Sequence, residues 1–443
     1  MLRRSLNLFQ STTINMIDMV GIGPFVTLPI VIGYVGGMYL YAWIAGALLS
    51  LVDAMIWSEL GAAYPLAGGS FHFLSEAYGK DKTGGKLMSF LYVWQTIIQA
   101  PLVAASAAIG FATYFLYLVP GLSAWQQKAV SGTVIILITV LLYRKIESIG
   151  KLSILLWFGV MATLGWIIWG GVQHGHIFDT LTSASASFSV NSLASFVFGQ
   201  ACVKTIYSYL GYYNVCHLGG EIIQPEKNIP RSMFLSVIGI AVLYLMMNLS
   251  VTGVISWQEI KAWQDSGQEP FVLSIFFERL YGVAAAKLAT GMILWVALAS
   301  LFAVLLGYSR VPYAAAVEGT FLKVFARLHP TKQFPYISLL VLCGIAFVFS
   351  LLFKMKEVIS AILAMRIIVQ FIGQAVGVML LRSKKGKESL PYRMPLYPLP
   401  VVLAILMWGL VFASTGSTII LSFLLVAGSG IIVFFIRQKI KGN

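Results

Sequence analysis

The feature that most constrains this chain is a series of twelve long apolar runs separated by short polar loops. Most runs match the roughly 20 residues that an α-helix needs to cross a bilayer. Hydrophobic residues make up 59% of the chain and charged residues only 10%. A soluble domain has about 25% charged residues, so a protein of this composition has too few of them to cover its surface in water. We therefore predict an all-α membrane protein with twelve transmembrane helices, which excludes soluble enzymes and nucleic-acid-binding proteins. The runs lie near residues 14–38, 39–63, 87–119, 126–143, 152–171, 195–222, 232–256, 284–310, 336–353, 357–382, 397–414 and 417–437.

The distribution of basic residues predicts the orientation of these runs. The chain has 30 Lys and Arg residues against 16 Asp and Glu, a formal net charge of +14. If the N-terminus is inside, most of the basic residues fall in inner loops, including the segment 383–400. Positive charge is enriched in cytoplasmic loops and attracts anionic lipid. We expect a multi-pass protein of the cytoplasmic membrane, in contact with lipid and with both termini in the cytoplasm.

Two of the runs carry sequences that disfavour a continuous helix. The first contains Gly21-Ile22-Gly23-Pro24-Phe25, and the sixth contains residues 207–214, with Gly211 among them. Glycine lowers helix propensity, and proline lacks the N–H that a helix needs. The first and sixth runs each open a block of five, and two successive blocks of five have opposite orientation. Interrupted helices at matching positions of inverted halves indicate the binding site of a secondary transporter. For either run alone, ordinary helix packing is the alternative.

Four motifs follow one another along the first ten runs. They occupy residues 21–25, 59–79, 207–231 and 309–319. In this order they resemble the amino acid–polyamine–organocation (APC) superfamily, to which amino acid permeases belong. The resemblance implies a LeuT-like fold: a 5+5 inverted repeat with discontinuous helices 1 and 6 plus two C-terminal helices. It also implies that amino acids or related amines are the substrates. The corresponding division is a first five-helix repeat at 1–171, an extracellular loop at 172–194, a second inverted repeat at 195–382, and a linker with helices 11 and 12 at 383–443.

The candidate substrate-binding residues surround the two predicted breaks. Backbone N–H groups at the N-terminus of a half-helix suit a carboxylate, while carbonyls of unwound backbone suit an ammonium group. Tyrosines of the sixth run are expected to wall an apolar side-chain pocket, although helix packing explains any one of them equally well. The predicted substrate-binding residues are Met19, Gly21, Ile22, Gly23, Tyr207, Ser208, Tyr209, Leu210, Gly211 and Tyr213.

Four ionisable residues fall within the apolar runs, namely Asp18, Asp53, Lys204 and Arg366. Placing each of these side chains at the centre of a bilayer costs about 3 kcal/mol, so each is expected to have a structural or functional role. We predict that they take part in proton coupling or gating; a fixed salt bridge or the lining of a water path is the alternative. Some proton-coupled members of the superfamily carry a lysine in the fifth helix. Residues 159–161, at that place, include no basic residue, which puts lysine-based coupling there in doubt.

Further charged residues, Glu59, Glu221 and Arg310, lie near the inner ends of their runs. Two roles suit residues at such positions. They either close a gate between the cavity and the cytoplasm or form an ion pair on the protein surface.

The predicted function is secondary active transport of amino acids across the cytoplasmic membrane by alternating access, through exchange or proton-coupled symport. No acid lies beside residues 207–214, which favours neutral amino acids; another small amine or an anionic amino acid is the alternative. An ion channel is less favoured, because the charges are scattered and unlike rather than arranged in rings. The histidines are dispersed, so no enzyme, catalytic residue, metal site or cofactor is predicted. The expected partners are the amino acid, membrane lipid and, for symport, protons; the sequence carries no signal of an oligomeric state.

Overall fold

The computed structural model describes residues 4–144, 146–193, 195–267, 271–353, 355–385 and 390–441. Regular structure in this part of the chain is helical, apart from two isolated bridges. The helices are α1 (Leu8–Met19), α2 (Gly23–Val35), α3 (Tyr39–Ala63), α4 (Ser70–Tyr78), α5 (Thr83–Leu118), α6 (Ala124–Leu142), α7 (Ile146–His174), α8 (Ile177–Ala186), α9 (Val190–Leu193), α10 (Phe196–Tyr209), α11 (Asn214–His217), α12 (Pro225–Val254), α13 (Trp257–Asp265), α14 (Val272–Tyr281), α15 (Val283–Tyr308), α16 (Arg310–Val317), α17 (Tyr336–Leu352), α18 (Met355–Arg366), α19 (Gly373–Lys385), α20 (Leu399–Ala413) and α21 (Ser417–Lys441).

The apolar helices make the chain a multi-pass membrane protein. Among the described residues, eight helical segments are long and apolar enough to cross a membrane, and α17 and α20 are shorter apolar helices. The predicted division into two five-helix repeats and a C-terminal pair stays a prediction. Ala194 of the predicted outer loop and residues 386–389 of the predicted linker lie outside the described residues.

The predicted outer loop 172–194 and the outer loop between the predicted runs 232–256 and 284–310 contain helices of their own, which in the second loop are α13 and α14. Within 172–194, α7 continues to His174, and α8 follows with Thr180 and Ala184 buried. The Trp257 indole N–H donates to the Ser183 hydroxyl at 3.0 Å, which holds α8 close to the start of α13. Sequence reasoning missed these helices because only one narrow face of each is apolar, so they lack the long apolar run of a membrane helix.

The two halves of the first predicted run lie in the interior of the helix bundle. Helix α1 packs against α7, α12 and α15, whereas α2 packs against α10 and α13. This placement matters because backbone groups at a helix break are tolerated at membrane depth only when protein or a cavity surrounds them. The fold therefore shields the broken helix from lipid.

Candidate functional site

The backbone leaves the helical conformation at both predicted breaks. Helix α1 ends at Met19, Val20 adopts φ −88° and ψ 80°, and α2 begins at Gly23. Helix α10 ends at Tyr209 and α11 begins at Asn214. Between them, Gly211 has a φ of +124°, which side chains of L-residues rarely allow. Local sequence thus explains both breaks, since glycine stands at each of them.

Both breaks face one small cavity. Nine predicted substrate-binding residues line the cavity: Met19, Gly21, Ile22, Gly23, Tyr207, Ser208, Leu210, Gly211 and Tyr213. Helices α5, α15 and α18 complete its wall with Val103, Ser106, Ala107, Ser300, Val304, Tyr308 and Ile362.

The tenth predicted residue, Tyr209, lies away from the cavity. Its ring is buried against Trp43 and Tyr244, with centroids 5.8 and 5.2 Å away. Successive residues of a helix are about 100° apart around its axis, so Tyr207 and Tyr209 point in nearly opposite directions. The Tyr207 hydroxyl lies 2.8 Å from the Ser106 hydroxyl at the cavity wall. Of these two tyrosines, Tyr207 therefore lines the cavity and Tyr209 packs against other helices.

The four ionisable residues of the apolar runs also divide into two groups. Asp18 and Arg366 line the cavity, whereas Asp53 and Lys204 are buried outside its lining. The Asp53 carboxylate accepts hydrogen bonds from the Tyr212 hydroxyl at 2.5 Å and from the indole N–H of Trp408 at 3.3 Å. These contacts make Asp53 a link between α3, the α10–α11 break and α20. Only Asp18 and Arg366 are positioned to act on a molecule in the cavity.

Arg366 lies at the end of α18, immediately before the π-helical stretch Ile367–Ile372. Its Nη1 group donates to the Tyr213 hydroxyl, and its guanidinium carbon lies 5.0 Å from the Tyr213 ring and 4.9 Å from the Tyr308 ring. Asp18 is close enough for its charge to attract that of Arg366. The cavity therefore carries one carboxylate and one guanidinium group.

Tyr244 of α12 joins the two breaks and was missed by sequence reasoning. Its hydroxyl lies 2.7 Å from the Met19 carbonyl oxygen and 3.1 Å from the Ser208 carbonyl oxygen. The signal that was available is the position of this tyrosine, in the middle of an apolar run instead of at a membrane interface.

Backbone hydrogen bonds close the predicted inner end below the cavity. The amides of Ser5 and Leu6 donate to the Glu221 carbonyl at 2.8 and 3.0 Å, and the Ile223 amide donates to the Leu6 carbonyl at 2.9 Å. Just before residues 221–223 in the chain, the His217 carbonyl accepts a hydrogen bond from the Gly68 amide at 2.9 Å. We call residues 5–6, 67–68 and 217–223 the inner belt.

Ion pairs reinforce the inner belt. Arg310 binds both carboxylate oxygens of Glu221 at 3.0 and 3.1 Å, with both side chains buried. Arg382 forms a second two-point pair with Glu59, whose carboxylate also accepts from the Met394 amide at 2.7 Å. Of the two roles that the sequence left open for Glu59, Glu221 and Arg310, the surface pair is wrong, because these residues are buried.

A helical membrane protein in which two broken helices meet at one cavity has the characteristics of a secondary transporter. The chain belongs to the amino acid permease family, whose model matches residues 6–436. This confirms the resemblance to the APC superfamily.

Three relatives show the range of proteins to which the chain is similar. It is 27% identical to the serine/threonine exchanger SteT of Bacillus subtilis (strain 168), over 100% of this chain and 98% of that protein. It is 22% identical to the methylthioribose transporter of the same organism, over 99% of this chain and 94% of that protein. It is 24% identical to the cystine/glutamate transporter of Homo sapiens, over 89% of this chain and 77% of that protein.

Proposed function

We propose that this protein transports amino acids across the cytoplasmic membrane by alternating access, and that it does so by exchange. The observation that carries the proposal is the meeting of both helix breaks at one cavity. Family membership supports amino acids as the substrates, and the name of the full-length relative SteT supports exchange.

The chemistry of the two breaks suits a zwitterion. The first N–H groups of a helix have no partner within the helix, so those of Ile22 and Gly23 at the start of α2 are available to an α-carboxylate. Carbonyl groups at Gly21 and Leu210 supply acceptors for the ammonium group, and the Asp18 carboxylate supplies an opposite charge. Both ends of an amino acid therefore find complementary groups in the cavity wall.

The side-chain preference must be argued from the cavity, because the relatives' names cover serine, threonine, cystine, glutamate and methylthioribose. The sequence favoured neutral amino acids because it has no acid beside residues 207–214. In the folded chain Asp18 and Arg366 both reach the cavity from other elements. That ground for neutral substrates therefore no longer holds.

Transport by the purified protein in proteoliposomes tests the proposal. We expect labelled amino acid to enter vesicles several-fold faster when they are preloaded with unlabelled amino acid than when they are empty. A panel of neutral, acidic and basic amino acids identifies the substrate, with methylthioribose as a non-amino-acid comparison.

An imposed pH gradient separates the two mechanisms. Uptake into empty vesicles that depends on the gradient would favour proton symport over exchange. Failure of every amino acid on the panel to enter vesicles would contradict the proposed function itself.

A further inference from the structure

The guanidinium group of Arg366 has one edge without a partner. Its Nη1 group donates to the Tyr213 hydroxyl, whereas Nε and Nη2 are buried and have no hydrogen-bond partner among the described residues. The residue is only 3% exposed and lines the cavity. Leaving a buried donor unpaired is costly, and more so when the group is charged. The two free N–H groups thus call for an acceptor in the cavity.

Two other arginines of this chain show what the Nε–Nη2 edge binds. Arg310 uses Nε and Nη2 to hold the two carboxylate oxygens of Glu221, and Arg382 uses the same pair of atoms to hold Glu59. The two N–H groups on this edge are parallel and match the spacing of carboxylate oxygens. In Arg366 the same edge is left free. Its geometry is that of a carboxylate-binding group.

Among the described residues, Asp18 is the carboxyl group in the cavity whose charge acts on Arg366, and it forms no ion pair with this edge. None of the ion pairs among the described residues involves Arg366. Asp18 lines the same cavity, but its charge is placed to attract a substrate ammonium group under the proposed function. Contacts with the rings of Tyr213 and Tyr308 restrict the guanidinium group, which lowers the entropy lost when a ligand binds.

We propose that the Nε–Nη2 edge of Arg366 binds a second carboxylate, on the substrate side chain, so that the substrates are acidic amino acids. This inference rests on the proposed function. The α-carboxylate is then held at the start of α2, the ammonium group near Asp18 and the side-chain carboxylate by Arg366. Each charge of an acidic amino acid thereby meets an opposite charge or a helix N-terminus, whereas a neutral side chain leaves the edge of Arg366 unpaired.

Competition between isosteric amino acids tests this subsite. Wild-type protein in proteoliposomes is assayed for exchange of labelled glutamate in the presence of glutamate, glutamine, aspartate or asparagine. Glutamine matches glutamate in shape and lacks only the charge. We expect each acid to compete about 10- to 100-fold better than its amide, since a hydrogen bond to a charged group is worth that much.

Two variants assign the preference to Arg366. In Arg366→Gln, the preference for glutamate over glutamine should fall about 10- to 100-fold, because glutamate loses the bond to a charged group and glutamine does not. Arg366→Lys keeps the charge but lacks the two-point edge, so an intermediate preference is expected. Gel filtration and thermal stability establish that each variant is folded.

The outcomes separate this inference from the proposed function. If wild-type protein exchanges glutamine at least as well as glutamate, the carboxylate subsite is wrong while amino acid transport stands. If Arg366→Gln weakens acid and amide equally, Arg366 has a general structural role and the inference is likewise overturned. If no amino acid of any charge is transported, the proposed function fails and this inference fails with it. If Arg366→Gln does not fold, the wild-type ratio of glutamate to glutamine decides alone.

Discussion

At Gly211 the break between α10 and α11 lies close against the end of α1. A Cβ atom there would lie 2.7 Å from the Met19 amide nitrogen and 2.8 Å from the Asp18 carbonyl carbon. Both neighbours are backbone atoms, which cannot rotate out of the way. The positive φ of Gly211 adds a separate conformational cost for any other residue.

We predict that Gly211→Ala lowers exchange at least tenfold and destabilises the protein by about 1–3 kcal/mol, the usual cost of overpacking or of a strained φ. Uptake in proteoliposomes and thermal unfolding in detergent measure the two effects. Gly291→Ala is the matched control, because a Cβ on this α15 residue meets nothing within 4 Å. Equal activity of the two variants would contradict close contact between the breaks.

At the residue scale, sequence predicted which segments of backbone meet but not every side chain that faces the cavity. Glycine and proline are local signals, so the breaks beside Gly21 and Gly211 were readable. Whether Tyr207 or Tyr209 faces the cavity depends on the rotation of α10, which packing sets. Similarly, sequence identified Arg366 as a charge in a membrane helix, but only folded geometry shows which edge of its guanidinium group is occupied.

At the scale of elements, Tyr244 of α12 connects α1 with α10. The connection depends on the hydroxyl group, because the ring itself packs against Trp43 and Tyr209. Its hydroxyl contacts the carbonyls of Met19 and Ser208, both at the edges of breaks. Helix α12 therefore fixes the positions of the two unwound segments relative to each other.

We predict that Tyr244→Phe destabilises the protein by about 1–3 kcal/mol and slows exchange, because buried carbonyl groups lose a donor. Tyr209→Phe is the control, since the Tyr209 hydroxyl is buried without a hydrogen-bond partner in the structure. Its removal should be nearly neutral. Thermal unfolding of both variants decides the matter, and equal loss of stability would contradict the role assigned to the Tyr244 hydroxyl.

The elements that sequence reasoning missed share a physical cause. Helices α8, α13 and α14 have nine or ten residues each, and all three have polar faces. A helix needs about 20 apolar residues to cross a bilayer, so membrane helices can be recognised from the sequence. These three helices are too short and too polar to be recognised in that way. Their helicity is stabilised by packing on the rest of the bundle, which only the folded structure reveals.

At the scale of the whole molecule, we interpret the inner belt as a closure toward the predicted cytoplasmic side. The pair of Arg310 and Glu221 is the buried ion pair within that closure. Removing one partner of a buried pair costs about 3–5 kcal/mol, because the other charge is left without compensation. The proposed alternating access would require this closure to open, so weakening it should favour the inward-open state.

We predict that Glu221→Gln speeds maleimide labelling of Cys216 at least tenfold, in a background of Cys202→Ala and Cys343→Ala. Cys216 is buried in α11, directly beside the inner belt, and the other two cysteines are removed to make labelling specific. Glu259→Gln is the control, because it breaks the exposed pair with Arg279 in a predicted outer loop. Unchanged labelling of Cys216 would show that the ion pair does not hold the closed state.

The backbone bonds from Ser5 and Leu6 to Glu221 have a practical consequence for the laboratory. If the inner belt opens in each cycle, the segment before α1 must detach and re-engage every time a substrate molecule crosses. A purification tag or fluorescent protein fused before α1 would hinder the movement of this segment. Reporters are therefore better attached after α21, and turnover numbers measured with tags at the two ends should differ.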